Sequence, residues 1–154
     1  MMEPVRLGPQ DAGEILTLQR AAYVTEARAH RTFDLPPLVE TLAETREALG
    51  DPLCLAWGYR EEARLVASVR VRVVGNVGEV GRLVVAPDRQ GNGYGSSLLL
   101  AAEARLPRGV TVFRLFTGEY SQGPLRLYKR LGYHETHRSP EFDYQLVHFE
   151  KEIA

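Results

Sequence analysis

With 154 residues, 44% of them hydrophobic and 25% charged, the chain has the length of one domain built around a single core. Nineteen basic residues stand against twenty acidic ones, which removes any bulk electrostatic pull toward nucleic acid or anionic lipid. The one cysteine, Cys54, excludes an internal disulfide and a cysteine-based zinc site. No apolar run reaches the ~20 residues of a membrane span, and residues 1–6 lack the apolar stretch of a secretory leader. The expectation is a cytoplasmic protein that handles a small molecule, with no membrane and no nucleic-acid partner.

In chain order, Asp11 is placed to cap a first helix whose apolar positions Ile15, Leu18 and Ala22, with Leu16, Gln19 and Tyr23 beside them, recur at helical spacing. Residues 30–35 read as a polar loop with exposed aromatic and charged side chains. Pro36 and Pro37 precede a second helix carrying Leu38, Leu42, Thr45 and Leu49, which Gly50-Asp51-Pro52 ends. Three strands follow, over 53–59, 65–74 and 79–85, with turns at 60–62 and at Gly75-Asn76. Cys54 and Trp57 read as core, and Arg64, Arg70 and Arg72 as solvated charges on outward strand positions. A helix over 96–106, a strand over 111–117, a helix over 124–131 and a strand over 143–149 complete the chain. This order predicts an α/β (α+β) fold over residues 1–154: a mixed central β-sheet, an antiparallel meander followed by βαβ-type units, and helices on both faces.

Residues 83–96 carry the strongest signal. An apolar strand, Leu83-Val84-Val85, runs through Ala86-Pro87 into Gln90-Gly91-Asn92-Gly93-Tyr94-Gly95-Ser96, and the glycine-rich turn opens a helix. N–H groups at a helix start have no partners inside the helix and stand at the positive end of its dipole, so they suit a phosphate. Glycine permits unusual backbone angles and close approach. The turn lacks the Gly-Lys-Ser/Thr of a Walker A loop. It also lacks the first, third and sixth glycines of a dinucleotide fingerprint, since Ser96 holds the sixth place and Thr111 the place of its acidic residue. Other nucleotide-binding α/β domains stay open on this pattern alone.

This loop, with Arg82-Leu83-Val84-Val85-Ala86-Pro87 before it, resembles the Gln/Arg-x-x-Gly-x-Gly/Ala loop of the GNAT N-acetyltransferases. A second segment, Leu127-Tyr128-Lys129-Arg130-Leu131-Gly132-Tyr133, resembles that family's Leu-Tyr-x-x-x-Gly-Phe/Tyr block. The resemblance implies acetyl-CoA (coenzyme A) as cofactor. Its pyrophosphate would lie on the N–H groups of Gln90, Gly91, Asn92, Gly93, Tyr94, Gly95 and Ser96, and its pantetheine arm along the backbone of Leu83, Val84 and Val85, as an added strand would. Ser121 stands where the family often has an asparagine that contacts the cofactor. The cofactor strand is expected to splay from the next one. Pro124, where the family often has alanine, is tolerable only near a helix start.

The implied reaction is direct acetyl transfer to an amine in a ternary complex. The amine must lose a proton to attack, the carbonyl oxygen needs a donor, for which the Val85 N–H is placed, and the departing thiolate needs a proton. Glu79, eleven residues before Gln90, holds the offset at which histone-type members carry a catalytic glutamate, so it is the expected base. Tyr128 is the expected acid, because a phenol near pKa ~10 can donate to a thiolate whose conjugate acid lies near ~8.5. The first two helices and their loop wall the acceptor side in the family, which points to Tyr23, Glu26, His30, Phe33 and Asp34 as substrate-binding residues. The acceptor is read as a small-molecule amine rather than a protein, and the family commonly forms homodimers. No metal site is expected from His30, His134, His137 and His148. A coenzyme-binding sensor that has lost the chemistry is the alternative with the same fold.

Overall fold

The computed structural model describes residues 2–153. In chain order it contains β1 (Val5–Leu7), α1 (Ala12–Ala22), α2 (Val24–His30), α3 (Pro36–Val39), α4 (Leu42–Gly50), β2 (Cys54–Glu61), β3 (Arg64–Val74), β4 (Val77–Val85), α5 (Tyr94–Ala104), β5 (Val112–Gly118), α6 (Gln122–Arg130), β6 (His134–Glu141) and β7 (Tyr144–Glu152). The strands form one seven-stranded sheet in the order β1-β2-β3-β4-β5-β7-β6. Neighbours are antiparallel except β4 and β5, which α5 connects as a parallel pair. This is the mixed sheet expected, with one difference. α6 carries the chain past an empty place to the outer edge, and the β6–β7 hairpin then returns to fill it.

Residues 65–69 of β3, together with Val71, are buried because helices cover both faces of the sheet. Arg70 turns toward α1, where its guanidinium reaches Gln19 Oε1 at 3.2 Å. Tyr59, paired with Ala67, turns the other way and meets Ser97 of α5 at 2.5 Å. Val66, Val69, Leu98, Leu99, Phe113, Val147 and Phe149 make the centre of the core, joined at its edge by Trp57. Cys54 is buried, and burial pushes its thiol pKa up.

Several local expectations need correction. Asp11 stands at the start of α1 but does not cap it. Its carboxylate accepts from the Gly8 N–H at 2.9 Å and pairs with Arg60 at 3.1 Å. The helical stretch after it breaks at Tyr23, and α2 runs on through His30, which is buried rather than part of an exposed loop. The second predicted helix is two helices. Thr41 and Glu44 form a reciprocal capping box (2.9 and 3.1 Å) that restarts the chain as α4. α6 begins at Gln122, two residues before Pro124. The proline occupies the first turn, where its missing N–H has no intrahelical partner to lose. Arg70 is not solvated, since α1 and the α3–α4 segment lie over it and Glu40 pairs with it at 2.8 Å. β1 and β6 were not expected. β1 has three residues, and β6 is polar and mostly exposed, so neither shows a periodic apolar pattern.

Candidate active site

A cleft opens where β4 leaves β5. The parallel pairing runs only from Val77 opposite Val112 to Glu79 opposite Arg114. Beyond that point β4 is held by β3 alone, and an extra β4 residue is inserted between the pairs Arg70–Gly81 and Ser68–Val84. Arg82 sits in this bulge with a left-handed φ of 53°. A bulge bends its strand, so the outer half of β4 turns away and leaves a cleft of ≈ 760 Å³. Leu83, Val84 and Val85 line it with an edge that no strand pairs.

At the end of β4 a short turn, Pro87–Arg89, leads into the glycine loop. Gly91 and Gly93 have φ of 84° and 79°, and a Cβ at either would meet nothing within 4 Å. Glycine is needed there for backbone conformation, and the space beside it is open. Among the described residues the N–H groups of 91–96 find no acceptor in the chain, while the Ser97 N–H returns to Gly93 O as α5 begins. The loop is held from outside. Glu61 accepts from Arg89 Nε at 2.7 Å and from the Tyr94 hydroxyl at 3.2 Å, and Gln90 Nε2 donates to Val85 O at 3.2 Å. Arg130 of α6 donates to Ser96 Oγ at 2.8 Å.

The lining brings together Leu83, Val84, Val85, Gln90, Gly91, Gly93, Tyr94, Gly95, Ser96 and Ser121 with Tyr128, Tyr23 and Glu26. Asn92 is not among them. Its amide folds back to donate to Arg89 O at 3.0 Å, so it braces the loop. Glu79 is also outside the lining. It is exposed at the last paired position of β4, while the adjacent Val80 turns into the cleft, because successive strand residues face opposite ways. The structure therefore does not deliver the expected base to the cleft. His30 and Asp34 line a neighbouring groove of ≈ 650 Å³ that meets the cleft at Ala29 and Tyr120, and Phe33, 71% exposed, lines neither.

His30 is a clamp. Its Nε2 accepts from the Tyr120 N–H at 3.1 Å, so Nδ1 carries the proton and donates to Glu26 O at 2.8 Å. This ties the end of α2 to the segment after β5. Sequence reading missed Arg82, Arg126, Arg130 and Phe116 in the lining. The spacing of Arg126 and Arg130, one turn apart on α6, was the available signal for the basic pair.

Tyr128 is 8% exposed, and its hydroxyl has no hydrogen-bond partner among the described residues. Burial, with the charges of Tyr23 and Glu26 adding to it, raises its pKa, so the phenol keeps its proton well past neutrality. Burial likewise pushes Tyr23 up to about 12. Glu26 is half-buried and burial raises its pKa, against the opposing effects of its own N–H and of His30. The Ser121 hydroxyl is buried without a partner. An orphaned hydroxyl, a row of free N–H groups at a helix start, an unpaired strand edge and a cationic α6 together fit a ligand with phosphates at one end and an amide-bearing arm.

Fold and cleft thus define an acyl-CoA-dependent transferase. The chain belongs to the acetyltransferase (GNAT) family, whose model matches residues 16–133, and acetyl-CoA is accordingly its cofactor. No curated protein sequence is a significant match. Among solved structures, the ribosomal-protein-S18-alanine N-acetyltransferase from Escherichia coli superposes with a TM-score of 0.82 at 19% identity, over 100% of this chain and 95% of that one. The PaiA N-acetyltransferase from Thermoplasma acidophilum, solved in complex with coenzyme A, gives 0.70 at 20% identity over 99% of each chain. An aminoglycoside 6'-acetyltransferase type Ii gives 0.77 at 19% identity over 99% and 98%. No helix among the described residues is long and apolar enough to cross a membrane.

Proposed function

We propose that this protein, as one catalytic domain, acetylates the amino group of a small molecule by direct transfer in a ternary complex. The observation that carries the reading is the position of Tyr128, whose unpartnered phenol stands in the lining shared by the glycine loop and by Tyr23 and Glu26 of the acceptor side. When bound, the coenzyme supplies a thioester that the acceptor nitrogen attacks. The N–H groups of 90–96 would hold its diphosphate, with Arg126 and Arg130 adding positive charge. The free edge at 83–85 would orient its arm, the Val85 N–H would serve as donor to the carbonyl oxygen, and Tyr128 would supply a proton to the leaving sulfur.

The acceptor side supports a small cationic molecule. Structural neighbours include a ribosomal-protein-S18-alanine and an aminoglycoside acetyltransferase by name, so the dimensions of this chain's own groove bear on the choice. Its ≈ 650 Å³ suits a drug-sized molecule. Asp34, Asp143 and Arg31 line it, and Glu26 lines the adjoining cleft that shares Ala29, which leaves an acidic excess.

The test is thiol release with acetyl-CoA across a panel of primary amines. Release with at least one small amine is expected, and Tyr128→Phe should lower kcat by ~10²-fold while the coenzyme dissociation constant stays unchanged. Tight coenzyme binding with no release from any amine would instead identify a sensor.

A further inference from the structure

The cleft needs a proton acceptor, and its lining narrows the choice. At neutral pH an ordinary primary amine is almost wholly ammonium, with a pKa near ~10.4, and ammonium has no lone pair to attack with. Tyr23 and Tyr128 hold their protons too firmly to accept another. Arg82, Arg89, Arg126 and Arg130 are cations. His30 has both ring nitrogens committed, and Glu79 is outside the lining. Among the described residues, Glu26 is the one carboxylate that faces the cleft, and it forms no ion pair and no hydrogen bond to another side chain.

We propose that Glu26 is the general base that deprotonates the acceptor ammonium, an assignment that rests on the N-acetyltransferase reading above. The N–H pair stays on nitrogen as the lone pair, the proton forms an O–H bond at a Glu26 carboxylate oxygen, and solvent at the cleft mouth later takes it. The freed lone pair would form the C–N bond at the acyl carbon, and as the C–S bond breaks with its pair on sulfur the Tyr128 proton would go to sulfur. The acylated nitrogen's second proton restores the phenol, so the reaction releases one proton overall. Two further properties suit the role. The negative charge draws the cation toward the nitrogen's attacking position, and half-burial narrows the gap between carboxyl and ammonium. The groups that share its surroundings are Tyr23 at the end of α1, Tyr128 on α6, Arg82 on β4 and His30 on its own helix.

Two measurements test the assignment. In the coenzyme-free protein, carbon NMR of the glutamate carboxyls should show one signal, absent in Glu26→Gln, that titrates above the ordinary range near ~4.3. A midpoint within that range counts against the assignment. In kinetics on a polyamine, an aminoglycoside and an alanine-terminal peptide, Glu26→Gln should bind coenzyme A as the wild type does. It should lose ~10²-fold in kcat/KM at pH 7, with the deficit shrinking toward pH ~10 as the ammonium loses its proton by itself, and Glu26→Asp should recover part of the rate. A deficit confined to KM and constant with pH would reduce Glu26 to an attracting charge, and loss on Glu79→Gln instead would overturn the proposal. A wild-type rate in Glu26→Gln defeats this assignment alone. A wild type that binds coenzyme and acetylates nothing defeats the enzyme reading with it.

Discussion

Gly93→Val is expected to weaken coenzyme A binding by ~10³-fold, read by calorimetry. Two effects combine. Gly93 sits at φ 79°, where an L side chain costs ~1–2 kcal/mol and a β-branched one more. The valine also projects into the open space beside the loop, so N–H groups at the start of α5 lose their approach to the diphosphate, at ~1.5–3 kcal/mol for each charge-assisted bond. A sum near ~4 kcal/mol is the ~10³-fold stated. A nearby control separates the effects. Leu100 lies on the exposed side of α5, and Leu100→Ala should leave affinity unchanged. Undiminished binding in Gly93→Val would mean that the diphosphate does not lie on this loop.

Arg70→Ala is expected to destabilise the fold by ~3 kcal/mol, or roughly 10 °C in Tm. Glu40 is the hub of the network beneath it. Burial alone would raise its pKa, but hydrogen bonds from Arg70 and Thr45 and the charges of Arg70 and Arg82 outweigh that and hold the carboxyl down at about 2. Gln19, fully buried, donates to Pro37 O at 2.8 Å and joins the same cluster. Removing Arg70 leaves a largely buried carboxylate with Arg82, at 3.2 Å, as its remaining cation, beside hydrogen bonds from Thr45 and Gln19. The sign with pH follows. Because the folded pKa is depressed below its ordinary 4.5, the pair stabilises fully above that value and the contribution is lost as pH falls toward 2. The gap between wild type and Arg70→Ala should therefore narrow over that window in denaturant melts. A gap constant from pH 7 to 2.5 would show that Arg70 acts through packing.

This network bears on the cleft because Arg82 belongs to both. It sits in the β4 bulge, pairs with Glu40 under α3 and α4, and lines the cleft. The α3–α4 segment and the cleft-lining strand β4 are thus fastened at one point. His30 fastens a second, since its ring bridges Glu26 O and the Tyr120 N–H.

How much of this was legible in the residues depends on range. The glycine loop was, because left-handed glycines, a preceding strand and a following helix are local matters within a dozen positions. Tyr128 was legible through the segment around it. In the sequence Glu26 reads as an acceptor-side residue and strand offset favours Glu79 as the base; that Glu26 and not Glu79 lines the cleft emerges only in the fold. Only the divergence of β4 from β5 shows that Glu79 stays with the paired, exposed half. Asn92 was counted with the loop it braces. Arg70 appeared solvated since its strand alternates, and the chain that covers it comes from residues 36–50, well before it in sequence.

The order of elements, the mixed sheet and the glycine-rich turn that opens α5 follow from the amino-acid sequence itself, since each rests on periodicity, turn chemistry or backbone freedom within a short stretch. The tertiary structure alone decided which carboxylate lines the cleft, which arginine the helices cover and that β6 is a strand. Those outcomes depend on pairing and burial between segments tens of residues apart, and a side chain's surroundings are set by its neighbours in space.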